Sequence, residues 1–184
     1  QKKINQPELL IIVVNWNTKE KLEKCLYSIK DLGKSIFFEV LVIDNNSNDG
    51  SIEMLKNNYK DYNLIFNKNN LGFAAANNIG FVKFPNFNFY LLLNSDAEIN
   101  FTTLDGMMDI MKKKPSIGLT GPALIHEDGQ YQVGGAGYGP HWSNSINTFL
   151  FLDKLSKSFL GLFLKQKKYK EVKAPIEVTW LAFA

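Results

Sequence analysis

Apolar runs that alternate with helix-patterned segments predict an α/β protein built on a mostly parallel sheet flanked by helices. Two further observations sharpen this. The runs are continuous Leu, Ile and Val rather than alternating, as in strands buried on both faces. Each run also stops abruptly in polar residues, and parallel sheets bind ligands in the crevice beyond the carboxyl ends of their strands.

The first strand is expected over Leu9 to Val14, ending at Asn15-Trp16-Asn17. Leu22, Cys25, Leu26 and Ile29 then recur at three- and four-residue steps, predicting a helix with Thr18 placed to cap it. Val40 to Ile43 is the second strand, and it stops in the polar stretch from Asp44 to Ser51. Ile52, Leu55 and Tyr59 mark the second helix. Leu64-Ile65-Phe66 is a short third strand, followed by Asn69-Asn70-Leu71-Gly72 and an Ala-rich helix from Phe73 to Phe81. The fourth strand runs from Tyr90 into Asn94-Ser95-Asp96-Ala97-Glu98, and Leu104, Met107, Met108 and Met111 give the next helix.

The fourth strand's ending is the most informative, because a buried run delivers two carboxylates two residues apart to the sheet's carboxyl edge. Asp96 and Glu98 are placed there to hold a divalent cation against a diphosphate. Asp44 sits at the end of the second strand as a partner for a base or a ribose donor group. The first loop, Asn15 to Glu20, contains no glycine, which excludes the G-x-G-x-x-G signature of dinucleotide binding, and no Gly-Lys-Ser/Thr follows any strand. Mononucleotide binding without a glycine loop stays open.

Taken together, Asn15-Trp16-Asn17, Val42 through Ser51, Asn69 through Asn78, and Leu91 through Asp96 resemble the successive motifs of family 2 glycosyltransferases of the rhamnosyltransferase-like branch. Gly121-Pro122 and an Asp128-Gly129 hairpin extend the resemblance, which covers most of residues 8 to 138. It implies a GT-A fold, a nucleotide-diphosphate sugar donor such as a UDP- or dTDP-sugar, and inverting transfer to a saccharide or lipid-linked acceptor. Residues 1–184 would then form one catalytic domain, with a nucleotide-sugar-binding half over 8–100 and the start of an acceptor-side half over 101–184.

By the same resemblance, Asn15 and Asn17 line the nucleotide pocket, Asp44 pairs with the base and Asn46 lies in the same motif. Asn70, Gly72 and Asn77 or Asn78 stand beside the ribose and diphosphate. Asn94-Ser95-Asp96 aligns with the Asp-x-Asp metal motif, with Asp96 as the expected ligand of Mn²⁺ or Mg²⁺. Asn94 in the first position lowers the charge there, and Glu98 is inferred to assist. Glu177 to Ala184 resembles the segment that introduces the acceptor side and contributes Trp180, but the later acidic motif that supplies the general base has no counterpart. A C-terminally truncated chain of low transfer activity is therefore expected, and a non-catalytic nucleotide-sugar-binding module is the alternative.

Composition bounds the rest. At 184 residues the chain is one domain by size, and 45% hydrophobic content is ordinary for a globular protein. A net charge of +3 is too small to argue for nucleic acid. Cys25 falls on the apolar stripe of the first helix and reads as core. His126 and His141 lack neighbours at metal spacing, against a structural zinc site. No apolar run of about 18 residues exists, so no span is expected, and a cytoplasmic location fits, with contact at the inner membrane face as an option. That option rests on residues 146 to 170, an apolar stripe interleaved with lysines, which reads first as a packed helix and second as a membrane-surface one. The glycine cluster from Gly134 to Gly139 reads as a mobile loop near the site rather than a phosphate loop.

Overall fold

A computed structural model describes residues 7–33, 36–126, 128–132, 136–137, 175 and 180–181. Eight elements alternate through the first compact unit, Gln1–Ser116. They are β1 (Leu9–Asn15), α1 (Lys19–Lys30), β2 (Phe38–Asp44), α2 (Ser51–Asn58), β3 (Asn63–Phe66), α3 (Phe73–Lys83), β4 (Phe89–Asn94) and α4 (Phe101–Lys113). The four strands form one sheet in the order β3-β2-β1-β4, and every pairing is parallel.

Alternation along the strands builds two cores, one on each face. Leu9, Ile11 and Val13 of β1 and Val40 and Val42 of β2 pack with Leu22, Cys25, Leu26 and Ile29 of α1, Met54 and Leu55 of α2, and Leu104 and Met108 of α4. Leu10, Ile12, Leu41 and Ile43 face the other way, onto Ala76 of α3. Because both faces are covered, β1 reads as an unbroken apolar run, as expected of a parallel sheet. Gly80 brings α3 close: a Cβ there would lie 2.8 Å from Ile12 Cδ1 and 3.2 Å from Leu41 Cδ2.

This layout fixes where a ligand site belongs. From β1 the chain steps to β2 and β3 through α1 and α2 on one face, then returns through α3 on the opposite face to place β4 beside β1 on the far side. Right-handed crossovers demand that change of face when the direction of travel reverses. The reversal makes the carboxyl ends of β1 and β4 the topological switch point, where open α/β sheets bind ligands.

The strands and helices thus lie where the sequence pattern puts them, with one local exception. Thr18 precedes α1 but makes no capping hydrogen bond with its side chain. Its hydroxyl is used elsewhere, and the cap comes from a different loop. Cys25 is fully buried, as its place on the apolar stripe implies.

In the second compact unit, Ile117–Ala184, the expected hairpin is present. Ile125 bridges Tyr131 in antiparallel fashion, Gly129 takes a left-handed φ of 80°, and Asp128 Oδ1 accepts from Gln130 N at 2.9 Å. β5 (Ala136–Gly137) pairs antiparallel with β6 (Trp180–Leu181). The remainder of the glycine cluster and the stripe over residues 146 to 170 fall outside the described residues, as does the side chain of Trp180. Among the described residues no helix is long and apolar enough to cross a membrane.

Candidate functional site

The register sets Asn15 beside Asp44, and Val14 beside Asn94, so three adjacent strands end in polar side chains at one edge. Asn15 and Asp44 are both fully buried. Asn15 Nδ2 donates to Asp44 Oδ2 at 2.7 Å and to Ser47 Oγ at 3.1 Å, while Asp44 Oδ1 accepts from Ser47 N at 2.8 Å. Each carboxylate oxygen of Asp44 thus has a protein donor, and buried charge demands such partners. Asp44 ties the loop after β1 to the loop after β2.

Further bonds extend the zip between the two loops. Asn17 N donates to Ser47 Oγ at 2.9 Å, and Asn48 N donates back to Asn17 Oδ1 at 2.8 Å. Asp49 serves the N-termini of two helices at once: Oδ2 accepts from Lys19 N at 2.8 Å, and Oδ1 accepts from Ser51 N at 3.0 Å and from the Ser51 hydroxyl. This explains why Thr18 is released from capping. Burial alone would raise the Asp49 carboxyl, but the Ser51 hydroxyl and the Lys19 and Ser51 amides outweigh it and hold the group below the ordinary carboxylate range.

Apart from Asp49, the residues left exposed on these loops are uncharged. Asn17 and Asn46 are exposed and take left-handed φ values of 53° and 66°, conformations that asparagine tolerates. Trp16 beside them is 55% exposed.

The loop before α3 joins the same edge. Asn67 Nδ2 donates to Asn45 Oδ1 at 2.8 Å, and Asn70 Oδ1 accepts from Gly72 N at 2.9 Å. Gly72 has φ 78° and ψ 169°, a region essentially closed to residues with a Cβ. The N-cap of α3 is Gly72, which has no side chain to offer the helix. Asn78 is exposed, whereas Asn77 is 3% exposed. Asn77 Nδ2 donates to Phe73 O at 2.9 Å, and its Oδ1 is buried without a hydrogen-bond partner.

At the end of β4 the chain makes a turn closed by Ala97 N donating to Asn94 O at 3.1 Å. Cys25 Sγ lies 3.5 Å from the same carbonyl. Burial, with the Asp96 and Glu98 carboxylates adding to it, pushes the Cys25 thiol up to about 12, so it is no nucleophile. Asp96 is exposed, and its Oδ2 is 3.8 Å from Lys21 Nζ. Glu98 lines a surface hollow with Glu23, Lys24 and Tyr27 on the flank of α1. Among the described residues no group of three or more His, Cys, Asp or Glu side chains is placed to hold a metal ion. A donor set of one exposed carboxylate nevertheless fits an ion whose other ligands are phosphate oxygens and water.

Of the residues expected from the sequence, Asn15, Asn17, Asp44, Asn46, Asn70, Gly72, Asn77, Asn78, Asn94 and Asp96 all lie on the strand-end loops or the α3 N-terminal turns. Thr18, expected only as a helix cap, also builds this edge, as do Asn45, Ser47, Asp49, Asn67 and Ser95, none of them among the site residues expected from the sequence. Their signal was the density of Ser, Thr and Asn after each strand.

The sequence profile of Glycosyl transferase family 2 matches residues 10–162. The uncharacterized glycosyltransferase YfnE of Bacillus subtilis (strain 168) is 39% identical over 70 residues, 37% of this chain and 18% of that protein. The crystal structure of S. aureus TarS superposes with a TM-score of 0.52 at 18% identity, covering 71% of this chain and 25% of that one. TarS 1-349 in complex with UDP gives 0.51 at 19% identity over 71% of this chain and 41% of that one, and its complex with UDP-GlcNAc gives 0.50 at 19% over 71% and 40%. This chain spans less than half the length of each of these relatives. Its parallel sheet with flanking helices is the GT-A fold, and the chain belongs to glycosyl transferase family 2.

Proposed function

We propose that these residues bind the donor of a glycosyltransferase that moves a sugar from a UDP- or dTDP-sugar to a saccharide or lipid-linked acceptor, with inversion. The observation that carries the reading is the convergence of three polar loops and the exposed Asp96 turn on the switch point of the sheet. The TarS complexes with UDP and UDP-GlcNAc support a nucleotide-diphosphate ligand for this fold. The rhamnosyltransferase-like motif order supports placement in that branch, and a lipid-linked acceptor would put the protein at the cytoplasmic face of the membrane.

Each residue has a part that its chemistry allows. Asn17, Asn46 and Trp16 offer exposed amide and aromatic groups to the nucleoside, while buried Asn15 and Asp44 hold the loops that carry them. The N-terminus of α3, with Gly72 at its cap leaving the backbone approachable, suits diphosphate oxygens, because the helix dipole favours anions there. The unpaired Asn77 Oδ1 is a buried acceptor that a donor hydroxyl of the ligand would satisfy. Asp96, with Asn94, would hold Mn²⁺ or Mg²⁺, whose chemistry here is to offset charge on the departing diphosphate. Lys21 adds a cation at the same mouth.

Thermal-shift measurements with UDP, dTDP and their sugars, each with and without Mn²⁺, test the proposal. A midpoint that rises with nucleoside diphosphate and rises further with Mn²⁺ is the expected result. No shift with any nucleotide at millimolar concentration would refute it.

A further inference from the structure

The hydroxyl contact between the β1 loop and the β4 turn has a direction that hydrogen counting resolves. Thr18 Oγ1 lies 2.7 Å from Asn15 Oδ1 and 2.7 Å from Ser95 Oγ. A carbonyl oxygen only accepts, so the one hydroxyl proton of Thr18 goes to Asn15. Ser95 must therefore donate its own proton to Thr18. The chain then runs one way, from Ser95 to Thr18 to Asn15, and from the Asn15 amide into Asp44 and Ser47.

Ser95 and Asp96 are the two central residues of the turn closed by Ala97 N and Asn94 O. Ser95 is 8% exposed and Asp96 is exposed, so the first residue faces the protein while the second faces solvent at the carboxyl edge of the sheet. Among the described residues, this is the one side-chain hydrogen bond that crosses the switch point from the β4 turn to the loop after β1. We infer that Ser95, through Thr18, is a positioning residue: it sets the Asp96 carboxylate relative to the nucleoside half, so that one ligand spans both.

This inference rests on the donor-binding reading and has its own test. Ser95→Ala removes the donor without orphaning Asn15, whose acceptor still receives the Thr18 proton. Its affinity for UDP or dTDP in Mn²⁺ should fall about tenfold, the scale seen when partners that orient a metal ligand are removed. Affinity for uridine or thymidine should stay as in the parent. Ser95→Thr, which keeps the hydroxyl, should restore the loss, and Thr18→Val combined with Ser95→Ala should lose no more than Thr18→Val alone. A ligand-free readout accompanies these: exchange of the Ala97 amide should speed about tenfold in Ser95→Ala, since its bond closes the turn.

Unchanged Mn²⁺-linked affinity and unchanged Ala97 exchange in Ser95→Ala would overturn the inference, as would additive losses in the double variant. Should the parent chain bind no nucleotide while Ala97 exchange still responds, the donor-binding reading fails and Ser95 with Thr18 is only a structural clamp, so the positioning role falls with it.

Discussion

On the β1–β2 side of the switch point the loops are zipped together by buried hydrogen bonds, whereas the β4 turn meets that assembly through the Thr18–Ser95 hydroxyl pair. The first side commits Asn15 and Asp44, both fully buried, to holding shape; the second leaves Asp96 exposed beside Lys21 at 3.8 Å. Buried polar networks are rigid when every member is satisfied. An exposed ion pair at that distance contributes little. On the proposed reading the two halves would divide the work of binding: the preformed one would fix where the nucleoside lies, and the other would be completed when diphosphate and cation arrive.

The contrast breaks most severely at Asn15. Asn15→Leu would leave Asp44 Oδ2 buried without its donor, and hydrogen bonds to charged groups contribute about 1.5–3 kcal/mol, with more lost when the partner is stranded. Urea denaturation should show a fall of at least that size. Asp96→Ala, by contrast, should leave the unfolding midpoint within about 0.5 kcal/mol of the parent, as exposed substitutions do. A comparable loss from both would erase the distinction between the halves.

Gly80→Ala probes the sheet beneath both. Overpacking against fully buried Ile12 and Leu41 costs about 1–3 kcal/mol. Replacing glycine inside a helix returns about 1 kcal/mol. A net loss of about 0–2 kcal/mol is expected in denaturant titration, and a gain would show that α3 can move off the sheet.

The charge-dependent part of the Asp49 caps is a small effect with a sharp signature. Asp49→Ala removes caps from α1 and α2, each about 1 kcal/mol at most on an exposed residue. Because the folded state holds this carboxyl below its ordinary value of 3.8, its charge-dependent contribution is complete above that value and is lost as pH falls through the lower folded one. Asp49→Asn, still a good cap, should fall slightly behind the parent above the ordinary value of 3.8 and match it once pH has dropped below the lowered folded one. A difference confined to neutral pH would contradict the assignment.

Much of this was legible in the residues. Continuous runs such as Leu9–Val14 revealed a sheet covered on both faces, and the repeating Leu22, Cys25, Leu26 and Ile29 revealed the buried stripe of α1. Roles at the edge were less legible, because exposure depends on which loop closes over which. Nothing local distinguishes buried Asp44 from exposed Asp96: both follow apolar strands. Thr18 looked like a cap by position, yet Asp49, thirty residues beyond Lys19, takes that role once the two loops meet. Ser95 was a spacer between two motif residues until the fold brought it within 2.7 Å of Thr18.

The most direct test of the two-part site is calorimetric titration of the parent and Asp96→Ala with UDP or dTDP and with the matching nucleoside, each with and without Mn²⁺. Mn²⁺ should strengthen nucleotide binding to the parent and not to Asp96→Ala, while nucleoside affinity stays the same in both proteins. An Asp96→Ala protein that binds nucleotide with the parent's Mn²⁺ dependence would contradict the account.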